Sequence, residues 1–405
     1  MQSRGLSFLL ALLFALPLAA PRAWSAPKYK VLHSFTDGND GGALYGSLLL
    51  DGQGNLYGTT EYGGPYGGGT VFELTPNADG TWTETVVHGF CVETGCADGA
   101  HSWAGLIFDA AGNLYGTTNS GGDYERGTVF ELAPQSDGTW TETVLHSFSD
   151  QDGVITPFAG VIMDPSGNFF GTAGDPYELS LGSSGWTVSV LHNFTCRNGD
   201  GCGADTGLIR DVSSSLYGTT QLGGTSKNCD AGCGTAYRLQ PMPDGSWKET
   251  ILHSFGTFKR DGAFPGPGAM IMDGKGNLYD TTGGYPHGTV YELTRDRRDH
   301  WKETILHTFN PGAGGNDPGA GVVMGKSGEL YGTTVNGGTG CDCGVVYKLA
   351  PEPEGKWKYT VLHRFTGYDG ANPGANLILD SKGNLYGTTI TGGAYGYGVA
   401  FELSP

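Results

Sequence analysis

The chain has 405 residues, 72 of them glycine, and 41 acidic against 23 basic side chains give a formal net charge of −18 at pH 7. Such a surface repels phosphate backbones, so nucleic acid is excluded as an expected partner. The glycines punctuate regular apolar runs, which points to turn-dense β structure rather than disorder. At the N-terminus, Arg4 precedes an uncharged apolar run from Leu6 to Ala20, followed by the small residues Ala23, Ser25 and Ala26. This is the form of a secretory signal peptide over residues 1–25, and the run is short for a membrane span of about 20 residues. No cysteine stands near the cut to carry a lipid, and no later segment is apolar enough to cross a membrane. The expected destination is secreted, periplasmic or at the cell surface. Cleavage would remove Arg4 and Arg22 and no acid, leaving the mature chain more acidic still.

Residues 26–405 are built on a repeat, and internal periodicity is the strongest signal present. The motif L-Y-G-T-T occurs at Leu56–Thr60, Leu114–Thr118, Leu216–Thr220, Leu330–Thr334 and Leu385–Thr389, with variants at Phe169–Ala173 and Leu278–Thr282. Its aromatic positions, 57, 115, 170, 217, 279, 331 and 386, stand 47 to 62 residues apart. Six residues before each lies Asp51, Asp109, Asp164, Asp211, Asp273, Gly325 or Asp380, opening a tight turn. A third-strand motif, G-T-V-F-E-L, ends at Leu74, Leu132, Leu179, Leu239, Leu293, Leu349 and Leu403. A fourth, W-x-E-T-V-L-H-S-F, carries His33, His88, His146, His192, His253, His307 and His363. All but the first of these histidines have a tryptophan six residues earlier, and an even spacing predicts that both face the same side of the strand.

Four strands in about 55 residues, seven times over, predict an all-β fold, a seven-bladed β-propeller. The blades fall at about 45–90, 104–148, 159–194, 206–255, 268–309, 319–365 and 375–404, the last completed by 28–35. Residues 28–35 hold a fourth-strand motif before any first strand, and the sequence stops at Pro405 just after a third-strand motif. Pairing the N-terminal strand with the C-terminal blade would close the ring and remove two sheet edges. The motifs resemble the Gloeo/Verruco (GloVer) tandem-repeat family of exported bacterial proteins over about residues 28–404. The resemblance implies export and a repeat array, often with a C-terminal surface anchor, and no established reaction. The chain departs from that pattern in having no anchor after Leu403 and in a third blade, around Phe169–Leu179, without the G-G loop.

The turns between first and second strands are short and uniform, whereas the second-to-third and blade-to-blade loops are long and varied. Functional groups favour such loops on a rigid scaffold. All eight cysteines fall there, as Cys91/Cys96, Cys196/Cys202, Cys229/Cys233 and Cys341/Cys343. In an exported chain they predict local disulfides, with the close Cys341–Cys343 ring the least secure. Zinc is the alternative, disfavoured by the absence of C-x-x-C pairs. Asp40, Asp98, Asp152, Asp200, Asp261 and Asp369, each before glycine, could form a calcium-binding ring. Recurrence in every blade favours carboxylates that accept N–H bonds of their own turns. The seven histidines, one per outermost strand, are expected to pack between blades rather than converge on a metal or a reaction. Off-pattern residues are His101, Trp103, Arg126, Arg210, Lys259, Arg260 and His287. Tyr62, Tyr66, Tyr124, Tyr285, Tyr395 and Tyr397 lie in the glycine-rich loops, and tyrosine suits sugar or protein contact. The expectation is a monomeric, non-enzymatic binding or scaffold propeller for a glycan or a surface protein, with no cofactor and no metal. An extracellular lyase or hydrolase with its site at the axial mouth is the alternative, since propellers host both.

Overall fold

The computed structural model describes residues 27–258, 261–284, 288–338 and 340–404. The expected signal peptide, Tyr285, Lys259, Arg260 and His287 lie outside the described residues. The architecture is a seven-bladed β-propeller: seven four-stranded antiparallel sheets, each meandering outward from the axis. Blade two is typical, running Ile107–Phe108, Leu114–Thr118, Thr128–Pro134 and Trp140–Ser147. Two short 3-10 turns are the described helical segments, and no described helix is long and apolar enough to cross a membrane.

Burial explains the motifs strand by strand. All five residues of each L-Y-G-T-T strand are buried, because this strand has sheet neighbours on both edges and blades on both faces. The fourth strand alternates between exposed and half-buried positions, as an outer edge should. Core clusters cross the seams between blades: Tyr57, Val71 and Phe90 of blade one pack with Leu106, Leu114, Phe130 and Leu132 of blade two.

Closure follows the expected scheme. Lys28–Ser34 pairs antiparallel with Val399–Ser404, Lys28 opposite Ser404 and Tyr29 opposite Leu403. The aspartates behave as turn residues: Asp51 Oδ1 accepts the N–H groups of Gln53 and Asn55 at 2.8 Å each. In blade six, where Gly325 replaces this aspartate, Glu329 folds back and accepts the Ser327 N–H at 2.9 Å.

The expectation that tryptophan and histidine share a strand face fails. A β-bulge between them, opposite Val71/Phe72 in blade one and repeated in most blades, adds a residue and inverts the side-chain alternation. Trp140 therefore meets Tyr57 of the preceding blade, while His88 points to Glu142 of the following one.

All eight cysteines pair locally, as Cys91–Cys96, Cys196–Cys202, Cys229–Cys233 and Cys341–Cys343. The separations are 5, 6, 4 and 2 residues, so each bridge restrains little of the unfolded chain, about 2 kcal/mol at most. Reduction of all four should accordingly lower Tm by no more than about 10 °C, measured by calorimetry with and without reductant. Collapse of the fold on reduction would show that the bridges hold more than their own loops.

Candidate functional site

The threonines of L-Y-G-T-T fix the centre of the ring. The second threonine bonds within its blade, as Thr118 Oγ1 does with Thr128 Oγ1 at 2.8 Å. The first reaches to the next blade: Thr59 Oγ1 donates to Ala104 O at 2.9 Å, Thr117 to Ala159 O at 3.1 Å and Thr172 to Thr206 O at 2.8 Å. Thr388 donates to Gly46 O across the closure. These bonds, with that of Thr281 to Ala320 O at 2.7 Å, hold residues that lead into the innermost strands of blades one to four and six. Glycine there lets neighbouring blades approach, since a Cβ on Gly46 would lie 2.6 Å from Ala104 O.

The residues so held line an axial cavity of about 560 Å3. They precede the innermost strands, so the mouth opens on the face of the long loops. One arc of the wall is aromatic. Tyr45 and Trp103 stack at 4.8 Å and 12°, and Phe158 meets Trp103 edge-on at 5.1 Å. The other arc is polar, with Asp205 and Gln221 from blade four and Asn376 from blade seven. Asn376 Oδ1 accepts the Gly321 N–H at 2.7 Å, and its Nδ2 donates to Ala269 O at 3.2 Å, so its amide ties blade seven to blades five and six. Asp205 Oδ1 accepts the Gly174 N–H at 2.9 Å, yet burial holds the carboxyl above its ordinary range. The Trp103 indole N–H is buried without an acceptor. Burial, with the nearby Glu61 carboxylate, raises the Tyr45 phenol.

The predicted tyrosines occupy this face without lining the cavity. Tyr62 comes nearest: it hydrogen-bonds Glu61, which adjoins Tyr45, and its ring meets His101 at 5.2 Å. Tyr66, Tyr124, Tyr395 and Tyr397 are exposed on their loops. Of the off-pattern residues, Trp103 is in the wall. His101 Nδ1 lies 3.0 Å from Glu61 O, Arg126 pairs with exposed Asp150, and Arg210 bonds Ser214 in a first-to-second turn on the opposite face. Sequence reasoning missed Tyr45, Phe158, Asp205, Gln221 and Asn376. The available signal was the position four residues before each innermost strand, occupied by Tyr45, Trp103, Phe158, Asp205, Pro267, Gly319 and Gly374. It varies where the surrounding motif is constant.

The histidine and Asp-Gly sets, separate in sequence, prove to be partners. His33, His146, His192, His253 and His363 place Nε2 3.0–3.4 Å from Asp40, Asp152, Asp200, Asp261 and Asp369. The same carboxylates accept turn N–H groups, such as that of Thr366 on Asp369 at 2.7 Å. These contacts sit at the outer rim of the ring, away from the axis.

No curated protein matches the chain. Among solved structures, a Lactobacillus plantarum protein aligns at 15% identity and TM-score 0.49, covering 78% of this chain and 83% of its own. A putative oxidoreductase (glucose dehydrogenase) of Thermus thermophilus aligns at 13% identity and TM-score 0.39, covering 94% and 100%. A Dyadobacter fermentans protein of unknown function aligns at 10% and 0.45, covering 94% and 99%. Likenesses this distant carry no functional argument. A sequence family, the Gloeobacter/Verrucomicrobia repeat, matches residues 21–182 and 266–405, and the unmatched stretch between holds two of the polar wall residues, Asp205 and Gln221. With the repeat matched over most of its length, the chain belongs to the Gloeobacter/Verrucomicrobia repeat family.

Proposed function

We propose that this is an exported binding propeller whose axial cavity takes a glycan. The observation that carries this reading is the division of the cavity wall into an aromatic arc, Tyr45–Trp103–Phe158, and a polar arc, Asp205–Gln221–Asn376. Sugars present apolar C–H faces and a rim of hydroxyls, which suit stacking on one side and hydrogen bonding on the other. A volume of about 560 Å3 falls within the ordinary range for small-molecule sites. The exposed tyrosines Tyr62, Tyr66, Tyr124, Tyr395 and Tyr397 surround the same face and extend it for a longer chain or a surface protein. Binding is favoured over hydrolysis because Asp205 is the single carboxylate among the described wall residues, and glycoside hydrolysis ordinarily uses a pair.

The test is a glycan array followed by titration of any hit against variants. Trp103→Ala and Asp205→Asn should each weaken binding about fivefold or more, since one stacking or hydrogen-bonded contact is worth on the order of 1 kcal/mol. Gln53→Ala and Lys382→Ala, in turns on the opposite face, should bind as the parent does. Failure of the parent to bind any glycan, or equal binding by Trp103→Ala and Asp205→Asn, would reject the reading. Loss confined to Tyr66→Ala, Tyr124→Ala and Tyr395→Ala would move the site to the outer loops.

A further inference from the structure

The seams between blades carry a second kind of site. At four seams the histidine of one outermost strand faces the residue four positions before the histidine of the next. That position holds Glu142 opposite His88, Glu303 opposite His253, Tyr359 opposite His307 and Tyr29 opposite His363. Where it is tyrosine, the ring stacks flat on the histidine, at 4.1 Å and 3° for Tyr359 and 3.8 Å and 5° for Tyr29. Blade packing at this place therefore does not require a carboxylate.

At the seam of blades four and five, a carboxylate is nevertheless buried. The Glu303 side chain is 1% exposed, Asp261 0% and His253 14%. Both Glu303 oxygens lack a hydrogen-bond partner. His253 Nε2 lies 3.1 Å from Asp261 Oδ1 and 3.6 Å from Glu303 Oε2, and the three ligand atoms fall within 4.8 Å of one another. Asp261 Oδ2 is fixed by the Thr257 N–H at 2.7 Å and hydroxyl at 3.1 Å, so Oδ1 is the oxygen turned inward. Two dry carboxylates side by side demand a positive species beside them, either a proton held among the three side chains or a cation.

We infer that His253, Asp261 and Glu303 form a binding site for a divalent transition metal of the Zn2+ class, bridging blades four and five. One imidazole and two carboxylates are a zinc-type donor set, the fourth position of such a site being ordinarily a water. Zinc bonds of about 2.0–2.1 Å in tetrahedral array separate ligand atoms by about 3.4 Å, which the 3.1 and 3.6 Å edges bracket. Calcium fits poorly, because it takes six or more oxygens. The His88–Asp98–Glu142 seam is a looser version, with edges of 3.7 and 3.8 Å.

The test uses the full protein stripped with chelator, then dialysed against Zn2+ alone at pH 7.5, with bound metal counted and Tm measured. Glu303→Gln and Glu303→Tyr serve as variants, the second copying the seams sealed by Tyr359 and Tyr29. The parent should bind one equivalent more than either variant. Its Tm should rise by roughly 3 °C at a Zn2+ concentration of about a hundred times Kd, and neither folded variant should show that increment. Equal metal content in parent and variants, or a parent Tm indifferent to Zn2+, would overturn the site and leave a proton held among His253, Asp261 and Glu303.

Discussion

A variant lacking residues 28–36 is expected to lose its cooperative high-temperature transition, with Tm falling by roughly 15 °C or more. The deleted segment supplies the outermost strand of the seventh blade, paired from Lys28–Ser404 to Ser34–Val399. It also supplies Phe35, fully buried, and Leu32 of the same core cluster. Each such side chain contributes on the order of 2 kcal/mol by burial. The Tyr29 ring stacked on His363 would go as well, and its hydroxyl bond to Asp369 O at 2.6 Å with it. The edge of Val399–Ser404 would then stand open to pairing with other chains. A second variant guards against simple failure to fold. Moving residues 27–36 behind residue 405 through a linker of about four residues recreates the hairpin of the other blades, where Pro76 faces Trp82 as Ser404 faces Lys28. The permuted protein should recover most of the lost Tm. Unchanged melting of the deletion, followed by circular dichroism, would refute closure by this strand.

Replacing Asp280 should stabilise the protein, and increasingly so as pH rises. Asp280 stands where the other L-Y-G-T-T strands have glycine or its equivalent, and it is buried at 1% exposure. Its Oδ2 meets the Tyr291 hydroxyl at 3.5 Å, whereas its Oδ1 has no partner. Burial pushes its carboxyl up to about 8. The folded state therefore holds this proton between about pH 4 and pH 8 while the unfolded chain releases it. Protons bound in excess by the folded state make stability fall as pH rises across that window. Asp280→Gly restores the repeat and Asp280→Asn keeps the shape without the charge. Both should match the parent near pH 4 and exceed it at pH 8, by on the order of 3 kcal/mol. Denaturant titrations at the two pH values give the difference directly. A variant less stable than the parent at pH 8 would mean that the ionised carboxylate is held by the fold.

The scaffold was legible in the chain alone, because a propeller is written in local terms. Each L-Y-G-T-T and G-T-V-F-E-L run meets the same neighbours in its own blade, so recurrence alone reveals strands, turns and blade number. The aspartates of the Asp51 type were legible for the same reason: their acceptors and donors lie within four residues. Closure was legible from a fourth-strand motif displaced to the opposite end of the chain.

The contacts between blades were not legible there, because their partners stand about 30 to more than 300 residues apart. One bulged residue in the fourth strand reversed which neighbour the tryptophans and histidines face, and no residue type marks that bulge. The reversal brought Glu142 to His88 and Glu303 to His253, joining two aspartate- and glutamate-bearing patterns that are unrelated along the chain. Likewise Tyr45, Trp103 and Phe158, each a single departure in its own repeat, become one aromatic wall because blades one to three are adjacent around the axis. Asn376 meets Ala269 and Gly321 through one amide because the ring brings blades five, six and seven together at the cavity wall. Local periodicity fixes what each blade is; the convergence of seven blades on one axis fixes which of their irregular residues meet.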